Sequence, residues 1–195
     1  MLRHVVERAK LAKRVDRVVV AMPSKDIFPL EQCDRRLFDC VLESGLGSGD
    51  LIAPMDVEEN DLIGRFHRAA QDFDADLICR LCADNPCVEP SEIDRAVAYY
   101  LERPRVFVSN MHQHHWGAPE DRADNGYPDG IGCEVFSRSR LQWMNDYLAE
   151  PSYREHPHRV FHDYRAVYSP VCPYPFSRHD VRLDVNTPSD LERLN

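Results

Sequence analysis

The residues with most chemical content are Arg80 and Asp84 in "RLCADNP" and Asp184 in "VRLDVNTPSD". An apolar run (Leu77, Ile78, Cys79, Leu81, Cys82) stops at Asp84, Pro86 follows, and Pro90 then opens a helical pattern. In an open parallel sheet, ligands bind outside the carboxyl ends of the strands. A carboxylate where a buried strand surfaces, joined there by a second from a distant strand, could hold a divalent ion of the magnesium type, which prefers oxygen ligands and bridges protein to substrate phosphate. The plainer alternative is that each aspartate caps the turn after it. Arg80 precedes Asp84 by four residues, hence on the same face of an extended strand, which favours the functional alternative.

Such a site needs strands that end together, and the patterning supplies them. Leu2, Val5, Val6, Ala9 and Ala12 recur at helical spacing, predicting a helix over 2–13. "DRVVVAM" (16–22) reads as a buried strand of the parallel-sheet kind. A helical pattern surrounds Leu37, Val41 and Leu42 and ends at Gly45, and "LIAPM" is a short strand. Asn60 or Asp61 can cap "DLIGRFHRAAQDF", ahead of the strand "DLICRLC"; Pro90 and Ser91 begin a helix to Leu101, and 105–110 is another strand.

Residues 111–132 are polar and rich in glycine and histidine, which suits a long functional loop or an antiparallel excursion. "CEVFS" is then a strand, "SRLQWMNDYL" a helix, "YRAVYSP" a strand and "VRLDV" the last strand. "NTPSDLERL" opens a terminal helix with Thr187 as cap and Asp190 three residues on. Strands alternating with helices indicate an α/β sandwich with a mainly parallel sheet.

Composition narrows the function classes. The chain has 195 residues, enough for one domain with a sizeable core, and is 43% hydrophobic and 29% charged. Its formal charge of −9 argues against a general nucleic-acid binder. No apolar run approaches a membrane span and no signal-peptide pattern opens the chain, so a cytoplasmic location is expected. Seven cysteines is an odd count for a disulfide framework; the C-x-x-C of Cys79 and Cys82 lies in an apolar run and reads as thiols packed as small hydrophobes.

"RVDRVVVAM", "DLIGRFHRAAQDFDADLICRLCADNPCVEPSEID", "GYPDGIGCEVFS", "YREH" and "VRLDVNTPSDLERL" follow one another in an order that resembles cytidylyltransferases of the spore-coat polysaccharide biosynthesis protein F type. These are relatives of the CMP-KDO and acylneuraminate cytidylyltransferases. The resemblance covers nearly the whole chain. It implies a Rossmann-like, GT-A type nucleotide-diphospho-sugar transferase fold, a three-layer sandwich with a mainly parallel mixed sheet. The whole of 1–195 would then be one such domain: 1–110 the nucleotide-side half, 111–180 the sugar-side and dimerisation half, and 181–195 the last strand and terminal helix.

The implied reaction is CTP plus a sugar or sugar acid giving a cytidylyl sugar and pyrophosphate, with Mg²⁺ as cofactor, for surface polysaccharide synthesis. Asp84 resembles the family's Mg²⁺ aspartate, with Arg80 orienting it or touching phosphate. Ala21, Met22 and Arg65 would line the nucleotide. Tyr127, Glu134, Arg154 and His156 would line the sugar. Partners are the two substrates and a second copy of the chain.

Two departures from the family pattern stand out. The family begins with a strand and a loop of the form R-x-G-S-x-R-L-P-G-K that cradles the triphosphate. Here "MLRHVVERAK" corresponds to the helix after it, so the resemblance implies N-terminal truncation. "GLGSG" (45–49) lacks the lysine such a loop needs. At the last strand the family commonly reads T-V-D-T-P-E-D-L, whereas Asn186 holds the second metal-ligand position and Asp184 stands two residues earlier. Residues two apart share a strand face, so Asp184 could substitute from about 7 Å back along the chain.

Other readings remain open. An inactive relative that serves as a binding or dimerisation subunit fits the departures. A glycosyltransferase of related fold would show Asp-x-Asp, and "DFDAD" (72–76) precedes a strand rather than following one. His112, His114 and His115 could bind a metal but read better as part of a polar loop. Trp116 could stack on a sugar ring.

Overall fold

The structure is a computed structural model that describes residues 1–23, 52–102, 107–111, 126–163, 167–168, 170 and 172–194. The expected helix around Leu37–Leu42, the glycine run at 45–49, and the His112–Trp116 cluster lie outside the described residues. The chain forms two compact units. One comprises 1–16, 77–136 and 159–195, the other 17–76 and 137–158.

In the first unit, α1 (Leu2–Ala9) turns Val5, Val6 and Ala9 into the core. It is shorter than its periodicity predicts because the ladder tightens into turns, Leu11 N donating to Arg8 O at 3.0 Å and Ala12 N to Ala9 O at 3.1 Å. Beyond these turns the N–H groups of Lys13 and Arg14 donate to the two Asp94 carboxylate oxygens at 3.0 and 2.7 Å. A four-stranded sheet has the order β3 (Leu77–Arg80), β5 (Glu134–Ser137), β4 (Phe107–Ser109), β6 (Val167–Tyr168). β4 runs antiparallel to β5, with Val108 opposite Val135, and parallel to β6. Phe107 and Phe161 stack with ring centroids 4.1 Å apart, beside Phe136, over this sheet. The helix α3 (Pro90–Glu102) buries Ile93, Ala96 and Val97, and Arg8 of α1 reaches it through Glu89 at 2.8 Å.

The second unit pairs β1 (Val20–Pro23) with β2 (Ile52–Met55) in parallel register. Asp61 caps α2 (Leu62–Asp72), its Oδ1 accepting from Gly64 N at 2.8 Å. A Cβ at Gly64 would lie 2.4 Å from Asp61 Oδ2, so a side chain there would displace the capping carboxylate. Ser137 caps α4 (Arg138–Tyr147), which buries Leu141 and Met144. α5 (Pro151–Glu155) follows, and α6 (Pro157–Asp163) runs from this unit into the first. Neither short helix was expected from periodicity.

The terminal helix α7 (Pro188–Leu194) carries the predicted capping box: Thr187 N donates to Asp190 Oδ2 at 2.8 Å and Asp190 N to Thr187 Oγ1 at 3.3 Å. "VRLDV" is extended but makes only a single bridge, Arg182 with Asp129, rather than a full strand. Its backbone partners lie on two different segments: Asp129 N donates to Val181 O at 3.0 Å, Leu183 N to Asp129 O at 2.8 Å, and Val185 N to Asp84 O at 2.8 Å. Sharing its bonds in this way prevents a continuous ladder with either neighbour.

Candidate functional site

β3 ends at Arg80, so the expectation that Arg80 and Asp84 share one strand face is corrected. Beyond it the chain leaves the sheet in two consecutive turns, closed by Asn85 N to Cys82 O and Val88 N to Asn85 O, both 3.2 Å. Asp84 lies in the first of these turns. At the end of the strand Arg80 turns into the core. Its side chain is 9% exposed and pairs at 2.6 Å with Glu134, which is fully buried at the start of the neighbouring β5. Burial alone would lower the Arg80 pKa, but the Glu134 charge and hydrogen bond outweigh it, with help from Cys82 and Asp84, and raise it. Arg80 is therefore a fixed cation. The same burial pushes the Cys82 thiol up to about 11, so it stays protonated at neutral pH.

Asp84 itself is half-buried, and its Oδ1 has no hydrogen-bond partner. Its pKa is raised by burial, which outweighs a hydrogen bond from its own backbone; the Asp184 and Asp129 charges add to the rise and Arg80 opposes it. Three carboxylates thus act on one another where the last extended segment runs between residues 84 and 129. Gly130 makes this approach feasible. Its φ is +93°, and a Cβ would meet Asp184 N at 2.6 Å, so a side chain would push the segment away from Asp84.

Asp184 is buried and accepts from both arms of Arg182, at 3.3 Å on Oδ1 and 2.9 Å on Oδ2. Asn186 donates to the same Oδ2, so the two residues weighed as alternative ligands are neighbours and the asparagine steadies the aspartate. Asp129 and Arg182 had no signal in the sequence beyond belonging to the "GYPDG" and "VRLDV" stretches.

Tyr127 is fully buried with Ile131, Cys172 and Leu183 around it. Its hydroxyl donates to Glu92 at 2.6 Å and accepts from Arg95. Burial, reinforced by Glu92, raises its pKa far beyond the ordinary range. Tyr127, Arg80, Asp84, Glu134, Asp184 and Asn186 therefore all belong to the first unit.

The remaining candidates belong to the second. Ala21 and Met22 are half-buried on β1, in register with Ala53 and Pro54. The Arg65 guanidinium donates to the Glu59 carbonyl. Arg154 forms a fork on Asp61, with two contacts of 2.8 Å, and also donates to the Leu148 carbonyl at 2.9 Å and to Asn145 Oδ1 at 3.1 Å. His156 is exposed at the end of α5, its ring 5.6 Å from that of His158. Asp74 of "DFDAD" is in a turn with φ +48° and pairs with Arg138 at 2.6 Å.

Among the described residues, no group of three or more His, Cys, Asp or Glu is arranged to hold a metal. A magnesium site asks for less, commonly one or two carboxylates with substrate phosphates completing the shell. Asp84 has one oxygen without a partner, whereas both oxygens of Asp184 are taken by Arg182 and Asn186.

A family model described as Cytidylyltransferase matches residues 1–194. The chain belongs to the cytidylyltransferase family. Family chemistry of this kind is nucleotidyl transfer. The phosphoenolpyruvate guanylyltransferase of Sphaerobacter thermophilus is 28% identical over 194 residues, covering 100% of this chain and 76% of its own length. A solved cytidylyltransferase from Leptospira borgpetersenii superposes with a TM-score of 0.75 at 23% identity, covering 99% of this chain and 73% of that one. A CMP-2-keto-3-deoxy-manno-octonic acid synthetase solved with CTP gives a TM-score of 0.59 at 17% identity, covering 99% and 85%. These structures establish the Rossmann-like nucleotidyltransferase fold, and family membership rests on the sequence match across the chain. Among the described residues, no helix is long and apolar enough to cross a membrane.

Proposed function

We propose that this cytidylyltransferase-family chain transfers CMP from CTP to a hydroxyl of a sugar or sugar acid, releasing pyrophosphate, with Mg²⁺ held by Asp84 and Asp184. The observation that carries this reading is the Asp84 carboxylate: half-buried just past the end of β3, one oxygen without a partner, and next to the charge of Asp184. A buried acceptor without a partner costs about 1–3 kcal/mol, a cost that a cation bound at Asp84 would offset.

In the transfer, a bond forms between the acceptor oxygen and the α-phosphorus as the bond from that phosphorus to the bridging oxygen of pyrophosphate breaks, and the acceptor's hydroxyl proton passes to solvent. Mg²⁺ would offset the negative charge that builds on the phosphate oxygens. Asp84 and Asp184 bind and orient it. Arg80, fixed by Glu134, holds the turn carrying Asp84 and adds a permanent positive charge nearby. Asn186 keeps the Asp184 carboxylate turned to one orientation. By resemblance, Ala21, Met22 and Arg65 would serve the nucleotide and His156 the sugar, whereas Tyr127 and Glu134 are fully buried with partners inside the protein and Arg154 is held by Asp61. The product would feed surface polysaccharide synthesis, and a homodimer is expected.

The guanylyltransferase name of the Sphaerobacter relative favours a second base and acceptor choice, GTP with a phosphorylated acid. Pyrophosphate release with Mg²⁺, measured for CTP and GTP against sugar acids, neutral sugars and phosphoenolpyruvate, decides between them. Release only with CTP and a sugar or sugar acid is the expected outcome. Release only with GTP and phosphoenolpyruvate transfers the same site to the second reading. No release with any pair supports the inactive, binding-subunit alternative.

A further inference from the structure

Arg182 is placed to do more than hold Asp184. The backbone on either side of it is fixed independently of its side chain, through Val181 and Leu183 to Asp129 and through Val185 to Asp84, with bonds of 2.8–3.0 Å. The side chain is 55% exposed, yet its fork covers both oxygens of Asp184, whose side chain is 9% exposed, and comes within 3.9 Å of Asp129. Asp184 Oδ2 accepts a further hydrogen bond from Asn186. In this arrangement both Asp184 oxygens are occupied, so the carboxylate can turn an oxygen to a divalent ion only if the fork lets go.

Among the described residues, the other cations near the cluster have separate commitments. Arg80 is bonded to Glu134, and Arg193 donates to the Asp184 carbonyl and to Asp190. Arg182 combines exposure with a side-chain grip on the carboxylate. A planar guanidinium suits phosphate as well as carboxylate, in the same two-pronged geometry.

We propose that Arg182 is an exchangeable cation. It neutralises Asp184 while the site is empty, then yields that carboxylate to the divalent ion and binds phosphate oxygens of the incoming triphosphate. This rests on the nucleotidyl-transfer reading above and assigns one more residue to its substrate contacts.

Removing the charge should therefore move two affinities in opposite directions. Arg182→Gln should bind Mn²⁺ alone, as a probe for Mg²⁺, about two- to fivefold more tightly, the scale of a partly exposed ion pair that no longer competes. It should bind CTP at saturating Mg²⁺ about tenfold or more weakly, through loss of a charge-assisted fork. Arg182→Lys, which keeps the charge without the fork, should fall between the two on both counts. Spin resonance on Mn²⁺ and calorimetry on CTP read these, with thermal melts to show that the variants fold.

A variant that weakens Mn²⁺ and CTP together, or leaves CTP binding unchanged, overturns the exchange and leaves Arg182 a structural clamp. If the unaltered chain binds neither Mn²⁺ nor CTP, the functional reading fails and takes this inference with it. CTP binding by the unaltered chain without the opposed shifts is a failure of the exchange alone.

Discussion

Two charged assemblies, one in each compact unit, make opposite use of similar residues. In the second unit Arg154 and Asp61 share two contacts of 2.8 Å. Every further reach of that guanidinium ends on a protein oxygen, and Asp61 also caps α2. In the first unit Asp84 keeps a buried oxygen without a partner, and like-charged Asp184 and Asp129 act on it. The first assembly is complete as it stands. The second is strained until something positive arrives. Charges that a fold satisfies internally are its scaffold, and charges it leaves short indicate where a ligand completes the structure.

The sharpest way to break this contrast is Asp84→Asn. Activity should fall at least about 10³-fold, the several kcal/mol that a correctly held divalent ion supplies. Stability should move the other way. The folded protein holds the Asp84 proton more tightly than the unfolded chain does. Stability therefore falls as pH rises from the usual 3.8 through the raised folded pKa, and stays lower above it. The variant should then melt higher than the unaltered chain at neutral pH, with the gain shrinking as pH drops through the carboxylate range. A variant less stable at pH 7 would make Asp84 part of the scaffold.

Arg80→Met should come next in size. It leaves Glu134 fully buried without its cation, at a cost of about 3–5 kcal/mol in denaturant unfolding. The double change Arg80→Met with Glu134→Leu should recover most of that loss, since neither buried charge remains. No recovery would mean that the pair contributes more than mutual neutralisation.

Arg154→Met should cost about 1–3 kcal/mol, because a half-buried Asp61 loses its fork, while kcat per folded molecule stays close to that of the unaltered chain. A drop in kcat or a rise in sugar KM at unchanged stability would instead put Arg154 in the sugar site, as the family resemblance suggests. The smallest effect should be Thr187→Ala, about 1 kcal/mol from losing the cap of α7.

What was legible in the sequence was local. The Asp61 cap, the Thr187–Asp190 box and the bounds of α3 follow from residues within one turn of each other, and all are present. α5 and α6 are too short for periodicity to reveal, although Pro151 and Pro157 at their first positions were usable signals. Periodicity carries α1 to residue 13 because Ala12 stays buried, although the ladder has tightened into turns by Leu11 and Ala12. The site divides along the same line. A carboxylate after a buried strand marks Asp84 without any partner in view. The Arg80–Glu134 pair spans 54 residues and Tyr127–Glu92 spans 35, and no spacing rule links such positions. Arg182 resembles any exposed strand arginine until Asp129 and Asp184 are seen on either side of it.

The central claim is that Asp84 anchors a Mg²⁺-dependent nucleotide site. Calorimetric titration of CTP with Mg²⁺ into the unaltered chain and into Asp84→Asn tests it most directly. The account predicts saturable binding that requires Mg²⁺ and disappears in the variant while the variant remains folded. Equal binding by both proteins, or binding indifferent to Mg²⁺, would contradict it.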